Sequence, residues 1–449
     1  MSAILIKNGS IVNEGRISRS NLLVFNDLIT AIGEIEPVNI PAGTRIIDAA
    51  GCYVIPGIID DQVHFREPGL THKADIHSES VAAAAGGITS FMDMPNTVPQ
   101  TITLDLLEEK YRIGAGSSVI NYSFYLGGTN TNIDQLLGAN PETVCGIKLF
   151  LGSSTGNMLV NDEKVLREIF SRSQMLIACH CEDEPTVRRN AESYRAKYGE
   201  DVPVKYHPLI RSREACYITS AYAAGLAHEF NTRLHILHLS TADEMKLFSS
   251  HPSPAEKRIT GEVCVHHLWF EEADYELLGN RIKWNPAIKT AFDRSALTDG
   301  VNNDLIDIIA TDHAPHTVAE KTETYFKAPS GGPLVQHSLL IMLELYRKKK
   351  ITLEKIVEKM CHNPAIIYRI KQRGFIREGY KADICIFSPD AQLTVSRENL
   401  LYKCGWSPFE GYTFSNAVKY TIVNGRLVYD NGKIDKDYRG ERLLFNPNN

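Results

Sequence analysis

Long apolar runs are missing from this chain of 449 residues. Nowhere do about 18 uncharged apolar residues follow one another, so no membrane-spanning helix is expected. The apolar stretch from Met1 to Val12 is short and interrupted by Lys7, which is not the pattern of a signal peptide. Cysteine pairing signals are missing too: nine cysteines are scattered with no C-x-x-C pair. Cys145, Cys179, Cys264 and Cys385 sit in apolar runs, where free thiols behave as small buried hydrophobes. An odd count without a framework points to a reducing, cytoplasmic setting. A basic stripe is also absent. The net charge is -6, and Lys348-Lys349-Lys350 reads as a solvated end of a helix, so no nucleic-acid partner is expected. No short repeat or low-complexity tract interrupts the chain.

What is present is a large apolar complement, 43% of residues, which can bury a sizeable core without a disulfide or a structural metal. The first fifty or so residues read as short strands, Ala3 to Ile6, Leu22 to Phe25, Leu28 to Ile32 and Arg45 to Ile47, with Asn8-Gly9 and Asn13-Glu14-Gly15 as turns. The far end has the same texture, in Ala382 to Phe387, Lys419 to Val423 and Arg426 to Tyr429. Between them, apolar strands alternate with helical segments: Ile58 to Phe65, Thr89 to Met94, Val119 to Tyr125, Gly146 to Leu151, Met175 to His180, Leu234 to His238, Arg258 to Val263 and Leu305 to Thr311. Such alternation predicts an α/β fold, a TIM-like (β/α)8 barrel over 55–374. A small β-sandwich domain, formed from both termini (1–54 and 375–449), would flank it.

Reactive groups in such a barrel sit where strands end. The first strand runs out through Asp60-Asp61-Gln62-Val63-His64-Phe65-Arg66; the fourth carries Lys148, the fifth ends at His180, the sixth at His238 and the eighth at Asp312. Any one histidine there could be purely structural, and Asp312 could cap a helix. Together, histidines and a carboxylate from separate strand ends form a divalent-metal pattern, with zinc the leading candidate. Lys148 alternates away from Ile147 and Leu149, so its ammonium would face the packed barrel interior. Two resolutions stand: an ion pair with Asp312, or reaction with carbon dioxide to a carbamate that bridges metal ions.

The segments PGIIDDQVHFREPG (Pro56 to Gly69), MPNTVP, GIKLFLGSSTG, ACHCEDE, ILHLST, KWNPAIK and TDHAPHT resemble the dihydroorotases, a cyclic amidohydrolase branch of the amidohydrolase superfamily. The likeness continues to Asn363-Pro364-Ala365 and to Gly379 to Asp383, nearly the whole chain. The resemblance implies one or two zinc ions held by His64, Lys148 as carbamate, His180, His238 and Asp312. Asp312 would also be the catalytic acid/base. Arg66, Asn96 and His316 would hold a substrate carboxylate, and Asn285 would contact the ring. The implied reaction interconverts N-carbamoyl-L-aspartate and L-dihydroorotate, in pyrimidine synthesis. Arg66 falls on the face of His64 by period-two spacing, and a rim ion pair with Glu67 or Asp61 is its alternative.

The chain departs from the family at Gln62, where a histidine is usual. Either a two-metal site is weakened there, or one metal is held at His180 and His238. His235, His266, His267 and His313 read as packing or orienting residues, and Ser153, Ser154 and Thr155 as a connecting loop or a lid over substrate. Two other functions stay open: a cyclic amidase for hydantoins or allantoin, and a non-catalytic homologue serving as structural partner of a pyrimidine enzyme. A small-molecule substrate and a homodimer are the partners expected.

Overall fold

The computed structural model describes residues 2–152 and 158–447; Ser153, Ser154 and Thr155 lie outside them. Eight parallel strands form the barrel: β1 (Ile58–Val63), β2 (Ile88–Asp93), β3 (Asn121–Phe124), β4 (Ile147–Phe150), β5 (Ile177–His180), β6 (Leu234–Ile236), β7 (Ile259–Cys264) and β8 (Ile308–Ala310). Tyr125 interrupts the third strand, so β3 pairs with β2 while Leu126–Gly127 pairs with β4. Closure is made beyond β8, where Val63 bridges His313 and the His64 N–H donates to the His313 carbonyl at 2.7 Å.

The strands read as nearly continuous apolar runs because both faces are covered. Alternate residues separate into two clusters. Ile59, Met92, Ala178, Leu237, Cys264 and Ile308 pack inside, while Ile58, Phe91, Ile147, Leu149, Ile177 and Val263 pack outward against the helices. Those helices begin where short polar side chains can accept a free N–H: Asp75 from Ser78, Thr103 from Leu106, Ser212 from Ala215, Thr290 from Asp293. Each such cap is worth about 1 kcal/mol.

Both termini meet in one sheet. Ala3–Asn13 pairs antiparallel with Arg16–Phe25 and parallel with Tyr53–Pro56, which pairs with Ile384–Ser388 and through it with Ala417–Val423 and Arg426–Asp430. Ile4, Ile6, Leu22, Val24, Val54, Ile384 and Ile422 form its core. A barrel with a terminal β-sandwich companion is the fold expected from the sequence. One turn is corrected. Asn8-Gly9 does not reverse the chain but lies within Ala3–Asn13, where Asn8 has φ 62° and the pairing register shifts. It is a bulge, and Gly9 is needed there because a Cβ would lie 2.5 Å from Val54 Cγ2. The chain reverses instead at Glu14 and Gly15, both with positive φ. All nine cysteines are free thiols, and among the described residues no helix is long and apolar enough to cross a membrane.

Candidate active site

A cavity of about 160 Å³ opens at the C-terminal ends of the barrel strands, and every predicted site residue lines it: His64, Arg66, Asn96, Lys148, His180, His238, Asn285, Asp312 and His316. Three of them follow a strand with backbone in the left-handed region, Arg66 (φ 68°), His238 (φ 41°) and Asp312 (φ 46°). Non-glycine residues rarely adopt this conformation, and it clusters at functional sites. The period-two argument for Arg66 is thereby corrected. β1 ends at Val63, Asp93 Oδ1 accepts the Phe65 N–H, and Arg66 reaches the cavity by its left-handed turn rather than by strand alternation.

On one side of the cavity His180 Nδ1 and His238 Nε2 face each other at 2.9 Å. Glu182 Oε2 lies 3.1 Å from His180 Nε2 and is paired with Arg211. A carboxylate so placed favours the tautomer with its proton on Nε2, the form that would leave the Nδ1 lone pair for a metal. Burial lowers the pKa of both imidazoles, His238 the more, so both are neutral as metal ligands must be. The His238 N–H is held by Glu262 Oε1 at 3.0 Å.

Lys148 is 1% exposed, with its Nζ 4.7 Å from the Phe150 ring centroid. Among the described residues it has no hydrogen bond or ion pair, so the alternative pairing with Asp312 is not formed. Burial pulls its pKa down to about 8, bringing the neutral amine within reach of ordinary pH. An unpartnered buried amine beside two converging neutral imidazoles suits a lysine carbamate and a zinc ion.

Asp312 is occupied elsewhere. Its Oδ1 lies 3.1 Å from His64 Nε2 and accepts the Gln62 amide at 3.3 Å. His64 Nδ1 meets Asn96 Oδ1 at 2.8 Å.

The opposite wall is cationic. Arg66 Nε donates to the Pro315 carbonyl at 3.1 Å, and its Nη2 lies 3.0 Å from His316 Nε2. Neither rim pairing is made: Glu67 accepts the Ile76 N–H, and Asp61 faces His235 inside the barrel. Burial lowers the Arg66 pKa only to about 10, so the guanidinium stays charged although it is buried. Such a group suits a carboxylate on the ligand. The buried Asn285 Oδ1 has no partner among the described residues.

Several contributors escaped the sequence reading. Glu182 could have been found, being two residues from His180; Arg211 carries no local signal. Lys321 donates to the carbonyls of Pro329 and Gly331 at 2.9 and 2.7 Å, and Lys283 to those of Tyr325 and Ala328, fixing the wall formed by Pro329, Ser330 and Gly331. His313 holds the same region, bonding Glu79 through Nε2 and accepting the Leu334 N–H at Nδ1. His235 lies between Asp61 and Glu262, and His266 stacks on Trp284.

The profile of the amidohydrolase family matches residues 53–428. A dihydroorotase of Methanosarcina acetivorans is 33% identical, over 99% of this chain and 96% of its own. A dihydroorotase of Streptococcus pyogenes serotype M1 is also 33% identical, over 95% of this chain and 100% of its own. Among solved structures, the L-hydantoinase (dihydropyrimidinase) of Arthrobacter aurescens superposes with a TM-score of 0.92 at 26% identity, covering 99% of this chain and 100% of that one. The dihydropyrimidinase of Brevibacillus agri gives 0.88 at 23%, covering 99% of each, a likeness of fold alone.

Proposed function

The chain belongs to the amidohydrolase family, and from that membership we propose that it is a zinc-dependent hydrolase of a cyclic amide, L-dihydroorotate. The product is N-carbamoyl-L-aspartate, and ring closure in the reverse direction is a step of pyrimidine synthesis. The observation that carries this reading is the buried, charged Arg66, joined to His316, in the cavity that also holds His180, His238, Lys148 and Asp312. A neutral ring has no use for a desolvated guanidinium, whereas dihydroorotate carries a carboxylate. The two relatives named dihydroorotase support the same choice.

His180, His238 and the carbamate of Lys148 would hold the metal, with His64 and Asp312 beside it. Bound there, zinc supplies a water acidified to near neutral pH and polarises the carbonyl under attack. The protein does the rest. Arg66, Asn96 and His316 fix the ring by its carboxylate, so the scissile amide is presented in one orientation. Asp312, held by His64 and Gln62, accepts the proton of the attacking water and delivers it to the departing ring nitrogen. The C–N bond of the ring breaks as the C–O bond forms, and the new carboxylate stays with the aspartate half.

The likeness to the L-hydantoinase structure favours a second reading, hydrolysis of a neutral hydantoin ring. One experiment separates the two: turnover of L-dihydroorotate and of hydantoin by purified protein, before and after metal removal and zinc addition. Zinc-dependent turnover of dihydroorotate alone is expected. Turnover of hydantoin alone would transfer the assignment to the second reading, and turnover of neither by folded, zinc-loaded protein would favour a non-catalytic homologue.

A further inference from the structure

The two sides of the metal pocket are not equally prepared for a cation. Among the described residues His180 Nδ1 and His238 Nε2 meet only each other, at 2.9 Å, with no carboxylate or amide between them, and Lys148 has no hydrogen bond or ion pair. The side of His64 is already satisfied. Its Nδ1 meets Asn96 Oδ1 and its Nε2 meets Asp312 Oδ1, while the Gln62 amide donates to that same carboxylate oxygen. Gln62 is 1% exposed; its Nε2 donates to Asp312, and its Oε1 lies 3.8 Å from the Cys264 thiol, which is equally far from Glu262 Oε1.

We infer that Gln62 is not a metal ligand but a positioning residue that holds Asp312 by hydrogen bonding, leaving a centre for one metal ion on His180, His238 and Lys148. The inference rests on the hydrolase reading above and goes beyond it in assigning the metal count. To coordinate, Gln62 must present Oε1 to the cavity. Turning the amide over removes the Nε2 donor from Asp312 and places one oxygen against another. In exchange, zinc would gain only a neutral amide oxygen, a poorer donor than imidazole. Glu182 stiffens the other side and has no counterpart here, because the Asn96 amide oxygen that meets His64 Nδ1 carries no charge. One side is thus built to bind, and the other to hold the acid/base.

The test is the zinc content of the full-length protein after dialysis against micromolar free zinc, read by plasma mass spectrometry. One zinc per chain is expected, rising to two in Gln62→His, which restores an imidazole at that position. Gln62→Met should keep one zinc and an unchanged KM while kcat falls about tenfold, the loss of a group that orients an acid/base. Two zinc ions in the native chain would overturn the inference and leave the hydrolase reading intact. So would a Gln62→His variant that stays at one, or loss of zinc from Gln62→Met. No zinc in any form would overturn the metal-centre reading itself. The native count needs no variant to fold.

Discussion

His180 Nδ1 lies 2.9 Å from His238 Nε2 across the cavity, and a carboxylate, Glu182 Oε2, stands 3.1 Å behind the same ring at Nε2. Glu182, buried and paired with Arg211, is placed to hold the His180 proton on Nε2. In Glu182→Ala the ring can turn and change tautomer, and zinc affinity should fall about 10- to 100-fold, the usual effect of removing a partner behind a metal ligand. Competition with a chelator measures it. Unaltered affinity would show that Arg211 and packing orient the ring unaided.

Lys148 should behave as a carbamate precursor. Lys148→Ala is expected to lose most bound metal, and added short carboxylic acids to restore part of it by filling the vacated space. Unchanged metal content in that variant would sink the carbamate. The pH dependence follows from the lysine pKa of about 8. Only the neutral amine attacks carbon dioxide, so reloading of metal-free protein with zinc, at a fixed concentration of dissolved carbon dioxide, should quicken as pH rises towards 8. Below that value the neutral fraction drops about tenfold per unit. A rate independent of pH between 6 and 8 would contradict it.

Asp312→Asn keeps the shape of the side chain and its contacts with His64 and Gln62, yet removes the base. Zinc content should persist while turnover falls about 10²- to 10⁴-fold, the range for removing a general acid/base. A near-normal rate would take Asp312 out of proton transfer.

Arg66→Gln should raise KM for dihydroorotate about 10- to 100-fold, in line with about 1.5–3 kcal/mol for a hydrogen bond to a charged group. Any residual hydrolysis of hydantoin should be untouched, because a neutral ring makes no use of the guanidinium. Equal losses on both substrates would mean that Arg66 shapes the pocket instead of reading charge.

The barrel was legible because each strand is buried on both faces and so announces itself as an apolar run, and the site because histidine, lysine and aspartate interrupt those runs at their ends. Local ambiguity misled at Asn8-Gly9. A residue of positive φ followed by glycine serves a hairpin turn and a bulge equally, and only the neighbouring Val54 decides between them. Arg66 shows the complementary case: the strand ended early, and a left-handed residue delivered the side chain that alternation had been expected to place. Arg211 and Lys321 stayed hidden because their partners, a distant carboxylate and a set of backbone carbonyls, leave no pattern in neighbouring residues.

The pairing of Tyr53–Pro56 with Ile384–Ser388 also sets a schedule for the nascent chain. Val54 leaves the ribosome long before its neighbour Ile386 exists, and at ordinary translation speeds the delay is on the order of tens of seconds. Throughout that interval Tyr53–Pro56 offers an open β edge to its surroundings, a risk of misassociation that ends only when the last strands arrive.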